Sequence, residues 1–220
     1  MYIPEHFRVH EHSEAIGFMR ANPFAILIST PPSPAPGSMN YEGPFATHLP
    51  VFVSATDERV VLRGHVAKAN PHWRYVEQQP QCLTIFHGPH AYVSASNYIT
   101  RENVPTWNYG AVHVYGTART FASPDELQGV LHQLIGTFEP AYAEQWAGLS
   151  ESYRERMLSH IVGIEIAVTK IEAKFKLSQN RTKEEQANVI ASLEKAEDTA
   201  ISGVSRLMQQ QSLGTKNESK

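Results

Sequence analysis

The spacing of the apolar runs limits this chain more than any other feature. Strand-like segments occupy Phe24–Thr30, His48–Val53, Arg59–Val66, Cys82–Phe86, His90–Ser94 and Ala111–Phe121, with a further one at His160–Ile171. Each is rich in β-branched or aromatic residues and bounded by Gly, Pro, Asn or Asp. Most follow one another too closely for the crossover helix that a parallel pairing needs. Seven strands with few crossovers predict an α+β protein whose antiparallel sheet curls into a barrel. The alternation is clearest in Ala111–Phe121, where Val112, Val114, Gly116 and Ala118 share one face and His113, Tyr115, Thr117 and Arg119 the other.

Helices are punctuated by capping signals. Ser123-Pro124-Asp125-Glu126 places a capping serine, a proline at the first helical position and a glutamate three residues on, and predicts a helix to about Phe138. Asn70-Pro71 starts a short helix through Glu77, and Ser152–Glu155 caps another that ends near His160. Thr182–Glu185 is a further capping box, followed by an apolar stripe of Val189, Leu193, Ala196, Ala200, Val204 and Leu207. The segment from Pro31 to Ser38 holds four prolines and reads as an exposed loop at the tip of a hairpin. From Gln209 the sequence is polar and reads as a frayed tail.

Composition removes several function classes. The 220 residues carry a formal charge of −3, so there is no bulk basic charge for nucleic acid. No run approaches the ~18 apolar residues of a spanning helix, so no membrane contact is expected. Residues 1–30 have no basic start followed by an apolar run, so no signal peptide is read and a cytoplasmic location is expected. A single cysteine, Cys82, excludes an internal disulfide and is expected to be an inert core thiol. Eleven histidines all fall within residues 1–160, which keeps haem in view as a ligand. His87 and His90 have a spacing open to metal, but no third ligand lies nearby, so no metal site is expected. Dinucleotide, phosphate-loop, zincin and nucleophile-elbow patterns are absent. No helix-turn-helix is expected either. The two helices read within 123–160 are separated by roughly 13 residues, against the 3–4 of that turn.

Three segments could carry chemistry. In Leu62–Trp73 a strand ends, a helix begins, and Arg63 and Lys68 flank the junction, which suits a phosphate as well as it suits a solvated basic turn. In Asn103–Tyr109, Trp107 and Tyr109 flank Asn108, so the aromatics could stack on a planar ring while the amide reads its edge; a plain aromatic loop anchor has the same pattern. Lys174–Arg181 sets Ser178, Gln179 and Asn180 among basic neighbours, as either a ligand loop or a polar connector.

Taken together, Met1–Phe7, Thr47–Pro50, Arg63–Pro71, Phe86–Ser94, Val104–Tyr109 and Lys176–Arg181 resemble, in order, the PaiB family of FMN-binding negative transcriptional regulators of bacteria. The resemblance runs from Met1 to about Leu193. It implies the split β-barrel of FMN proteins related to pyridoxamine-phosphate oxidases; joined to the reading of the residues, this gives a barrel over 1–181 with a helical insert at about 123–160, a C-terminal amphipathic helix over 182–208 and a tail over 209–220, the part beyond Leu193 lying outside the resemblance. It implies a homodimer with FMN at the subunit interface, and DNA as a partner. The strand bearing Thr47, His48, Leu49 and Pro50 would lie along the isoalloxazine. Arg63, Lys68 and Asn70 would hold the phosphate, Gly64 would admit a close backbone approach, and His65 would stand beside it. Gln179 and Asn180 would reach the flavin from the other subunit. Two alternatives remain at this point: an FMN-dependent oxidoreductase or flavin reductase, with His48 or Asn108 tuning the ring, and a haem-binding or haem-degrading protein. Whether the chain is an enzyme stays open.

Overall fold

The computed structural model describes residues 1–31 and 43–214. The expected proline-rich loop therefore falls almost wholly outside the described residues, as does the end of the tail. The elements are α1 (His12–Ala21), β1 (Phe24–Ser29), β2 (Phe45–Pro50), β3 (Phe52–Ala55), β4 (Val60–Ala67), α2 (His72–Gln78), β5 (Gln81–Val93), β6 (Thr106–Phe121), α3 (Pro124–Phe138), α4 (Tyr142–Gly148), α5 (Glu151–Leu158), β7 (Ile161–Lys176), α6 (Lys183–Glu194) and α7 (Thr199–Gly214). The seven strands form one sheet in the order β2-β1-β5-β6-β7-β4-β3. The registered pairings are antiparallel: Leu27 faces Thr47 on β2 and Thr84 on β5, and Gly64 faces Ile164 on β7. The α+β antiparallel reading of the sequence therefore stands.

The chain divides into two compact units. One comprises residues 16–86 and 113–171, the other residues 1–15, 87–112 and 172–220. In the first, Leu27, Leu49, Val53, Leu62, Phe86, Val114 and Ile164 are buried on the inner faces of alternating strands. Phe121 joins Leu127, Val130 and Leu134 of α3 and Leu158 of α5 in a cluster against which Phe52, Leu131 and Ile161 pack. Ser123 caps α3 by accepting from the Glu126 N–H, with Pro124 in the first turn. In the second unit, Phe175, Leu177, Val189, Leu193, Val204 and Met208 form the buried face. Thr182 and Glu185 close a reciprocal capping box at the start of α6.

The elements depart from the sequence reading in five places. The two short strands expected on either side of His87-Gly88-Pro89 are one strand, β5. Its buried positions are Cys82, Thr84 and Phe86 before the turn-forming set, and Ala91 and Val93 after it. The pleat thus changes phase across Gly88-Pro89 without ending, which imitates a turn in the sequence. The single amphipathic helix expected over 182–208 is two helices. The Asp198 carboxylate accepts from the Ala200 N–H at 2.7 Å and starts α7 afresh. That helix runs on to Gly214, so the polar residues from Gln209 are not frayed at once.

Residues 123–160 hold three helices, because α4 fills the supposed long connection. Its N-cap, Ala141, makes no side-chain cap, so α4 left no start signal in the sequence. Only residues 139–141 separate α3 from α4, so connection length no longer argues against a helix-turn-helix. Charge does, since α4 carries Glu144 and neither Lys nor Arg. Finally α1, unread in the sequence, buries Ala15, Phe18 and Met19 at helical spacing.

Candidate functional site

The first unit brings together the segments around β2, β4 and the start of α2. β2 ends the strand order, so one side of its backbone has no strand neighbour among the described residues. Along it Thr47 is half-buried, His48 exposed, Leu49 buried and Pro50 half-buried. The His48 ring stacks on Phe24 at 5.9 Å between centroids. Behind this strand, the Thr47 hydroxyl accepts from Asn70 Nδ2 at 3.1 Å and lies 2.8 Å from His72 Nδ1. The His72 N–H in turn donates to Asn70 Oδ1 at 3.0 Å. His72 is fully buried, its Nε2 has no partner, and burial pushes its pKa down to about 4. A neutral imidazole thus ties the start of α2 to the middle of β2.

Lys68 sits on the turn between β4 and α2. Its backbone is fixed at both ends, donating to His160 O at 2.7 Å and accepting from Trp73 Nε1 at 3.0 Å. Its ammonium is exposed and has no partner among the described residues. Arg63 and His65 share the half-buried face of β4. The Arg63 Nε donates to Glu165 Oε2 at 2.7 Å, while Arg119 Nε takes the other oxygen at 2.8 Å. Partial burial raises the Glu165 pKa, but the hydrogen bonds and charges of Arg119 and Arg63 outweigh it and leave the carboxyl below its ordinary value. His65 keeps a buried Nδ1 without a partner, and burial lowers its pKa. An exposed ammonium, a guanidinium with unspent N–H groups and an orphaned imidazole nitrogen are a donor set that fits a phosphate.

Two expectations need correction in this unit. Gly64 does not leave room for a ligand. A Cβ there would stand 2.9 Å from Pro50 O and 3.1 Å from Leu49 Cδ1, so the end of β2 already fills the space. Asn70 does not present a free amide, because both ends of its side chain are engaged by Thr47 and His72. It shapes the junction that carries Lys68.

The second unit holds the other four expected residues. Trp107 is 53% exposed and lies 6.1 Å from the Tyr92 ring and 6.2 Å from that of His90. Asn108 is fully buried and cannot read a ring edge. Its amide donates to Ser178 Oγ at 2.9 Å and to Met208 Sδ at 3.6 Å, and its Oδ1 accepts from Ser178 at 3.3 Å. Gln179 is also engaged, accepting from the Leu177 N–H at 2.7 Å and donating to Phe175 O at 2.6 Å. Asn180 alone of this pair is exposed. The His87 and His90 rings lie 4.8 Å apart, and no set of three or more potential metal ligands stands together among the described residues.

Residues 1–170 match the family described as "Putative FMN-binding domain". The chain belongs to this family. FMN is therefore the cofactor to weigh against the donor set at and just after the end of β4, whose chemistry suits a phosphate. Among relatives, the chain is 38% identical over 211 residues to the "Protease synthase and sporulation protein PAI 2" of Bacillus subtilis, covering 95% of this chain and 97% of that one. Among solved structures, the FAD and haem binding protein of Mycobacterium smegmatis has a TM-score of 0.58 at 12% identity, covering 82% of this chain and 78% of that one. The flavocytochrome Anf3 of Azotobacter vinelandii has a TM-score of 0.57 at 14% identity, covering 84% of this chain and 78% of that one. At those identities the likeness is one of fold: the split barrel of flavin proteins that the sequence led us to expect. No helix among the described residues is long and apolar enough to cross a membrane.

Two residues of the candidate site were missed in the sequence. His72 stands in the quoted Leu62–Trp73 segment, but nothing in the pattern says that it turns inward. Glu165 alternates outward on β7, and its meeting with Arg63 and Arg119 depends on strand order alone.

Proposed function

We propose that this chain is an FMN-binding negative regulator of transcription, cytoplasmic and homodimeric, with flavin held at the subunit interface. The identity to the Bacillus subtilis protein, spread over nearly the full length of both chains, is the observation that carries this reading. FMN, when bound, supplies reversible one- and two-electron chemistry. The chain's own part is to hold it. Lys68 and Arg63 balance the phosphate charge, the free side of β2 offers backbone groups to the ring, and the His72–Thr47–Asn70 bonds keep strand and turn in step. Of the four residues expected to meet the flavin from the other unit, Trp107 and Asn180 are exposed.

Freshly purified protein with FMN added and excess removed is expected to retain close to one flavin per chain by visible absorption. Arg63→Ala combined with Lys68→Ala is expected to lower that content, and an unchanged flavin content would place the phosphate elsewhere. Regulation is tested by retardation of promoter DNA, which should weaken steeply as salt rises. No retardation even at low salt would remove direct binding. Consumption of NAD(P)H with an acceptor, in the absence of DNA binding, would instead favour the oxidoreductase reading.

A further inference from the structure

The second unit contains a cavity of about 120 Å³ lined by Val104, Pro105, Thr106, Asn180 and a group of polar and basic side chains. That is well above the ~10–15 Å³ a single buried water needs. Its cations are Lys176 and Arg181, with Lys174 two residues away on β7. No carboxylate pairs with any of the three among the described residues, in contrast to Arg63 and Arg119, which share Glu165. Glu185, a buried carboxylate of the same unit, is spent on backbone N–H groups of Ile99 and Thr182.

Donors in the cavity are left over. Lys176 Nζ has three protons and gives two of them, to Thr106 Oγ1 and to Trp107 O. Arg181 gives one N–H to Asn103 at 2.6 Å and lays its guanidinium 3.9 Å over the Tyr98 ring. Tyr98 is 7% exposed, and its hydroxyl is buried without a hydrogen-bond partner. A buried hydroxyl without a protein partner calls for one from outside the chain, a water or a ligand oxygen. Ser178, on the same wall, is the one non-glycine residue with a positive φ among the described residues, at 64°, and the buried Asn108 holds it there. Backbone held in that region accumulates at ligand-binding positions. Burial and the neighbouring charges of Lys174 and Arg181 also lower the pKa of Lys176.

We propose that this cavity is an anion site, taking the carboxylate or phosphate head of a small molecule between Lys176, Arg181 and the Tyr98 hydroxyl. It is built from residues other than the phosphate donors on β4, and it does not depend on the flavin assignment. A regulator with such a site would answer to a small acid as well as to its cofactor.

The test is ligand-observed NMR on the full chain at constant ionic strength, with inorganic phosphate and acetate as probes, with and without bound FMN. The expected result is saturable binding of at least one probe in both flavin states. Whichever anion binds more tightly identifies the head group. Lys176→Met and Arg181→Gln should each weaken that binding about tenfold or more, the weight of a charge-assisted hydrogen bond, while Arg59→Gln, at an exposed position outside either site, leaves it unchanged. Tyr98→Phe guards against mere unfolding: it deletes an unpaired hydroxyl, so thermal stability should hold or rise while anion affinity drops. Binding that no cavity variant alters overturns the proposal, as does the absence of binding by either probe. Loss of the anion on flavin loading also overturns it, because the cavity would then be the seat of the flavin phosphate. Flavin content, read separately by absorption, shows whether the flavin reading has failed instead.

Discussion

Protonation of His72 should cost this protein much of its stability in mild acid. The side chain is fully buried, accepts or donates through Nδ1 to Thr47 at 2.8 Å, and has no partner for Nε2. A charge placed there has no solvent and no carboxylate, and burial accordingly pushes its pKa down from 6.5 to about 4. The unfolded chain therefore takes up the proton before the folded one does. The stabilisation is fully present above the unfolded pKa of about 6.5 and falls by about 1.4 kcal/mol per pH unit as pH drops toward 4, where it is spent. The full span is worth about 3 kcal/mol, a large fraction of the ~5–15 kcal/mol typical of a folded domain. The assay is urea unfolding at several pH values between 7.5 and 4, on wild type and His72→Gln. Glutamine keeps a donor for Thr47 and cannot titrate, so the variant should lose that slope. His65 and His87 also have pKa values lowered by burial and remain in both proteins, so the difference between the curves isolates His72. Parallel curves would refute the reasoning, since the acid sensitivity would then belong to other groups. Because the imidazole holds Thr47, which in turn accepts from Asn70, flavin retention by wild type should fall over the same interval.

Three further outcomes follow from the same packing. Gly163→Ala would put a Cβ 2.2 Å from the Phe121 ring, and such overpacking costs about 1–3 kcal/mol; thermal melting should drop by several degrees, and Phe121→Leu in the same chain should restore most of it. Glu165→Gln frees Arg63 from a partner at 2.7 Å and should tighten FMN binding in a fluorescence titration, at a stability cost below about 1 kcal/mol because Arg63 and Arg119 are 36% and 52% exposed; weaker binding would mean that Arg63 needs Glu165 to aim it. The Cys82 thiol, buried and pushed up to about 12, should be inert to a disulfide reagent in the native protein and react only when denaturant is added.

The sheet was legible because strand alternation is a local property: each residue's face follows from its neighbours two positions away. Where the local signal was interrupted, the reading broke. Gly88-Pro89 looks like a turn whether the chain reverses or merely shifts its pleat, and only cross-strand pairing decides between the two. Val189 to Leu207 keeps its apolar spacing across the break at Asp198, since a second helix laid against the first can use the same residues. The helix α4 has no side-chain cap to announce it, and it exists by the packing of Trp146, which is buried.

The site was legible as a set of charges and illegible as a set of pairings. Arg63 and Glu165 are 102 positions apart, and Asn108 and Ser178 are 70 apart. No spacing rule reaches that far, so Arg63 read as a free cation and Asn108 as a free amide. The physical difference is large. A guanidinium already sharing a carboxylate attracts an anion far less than one that is not, because the carboxylate supplies the charge that the ligand would. By that measure Lys68, Lys176 and Arg181 attract an anion more strongly than Arg63, although Arg63 stands out most in the sequence. The same argument orders the experiments: charge removal at Lys68 should affect flavin retention more than removal at Arg63 alone, and only Glu165→Gln should bring Arg63 up to the strength of Lys68.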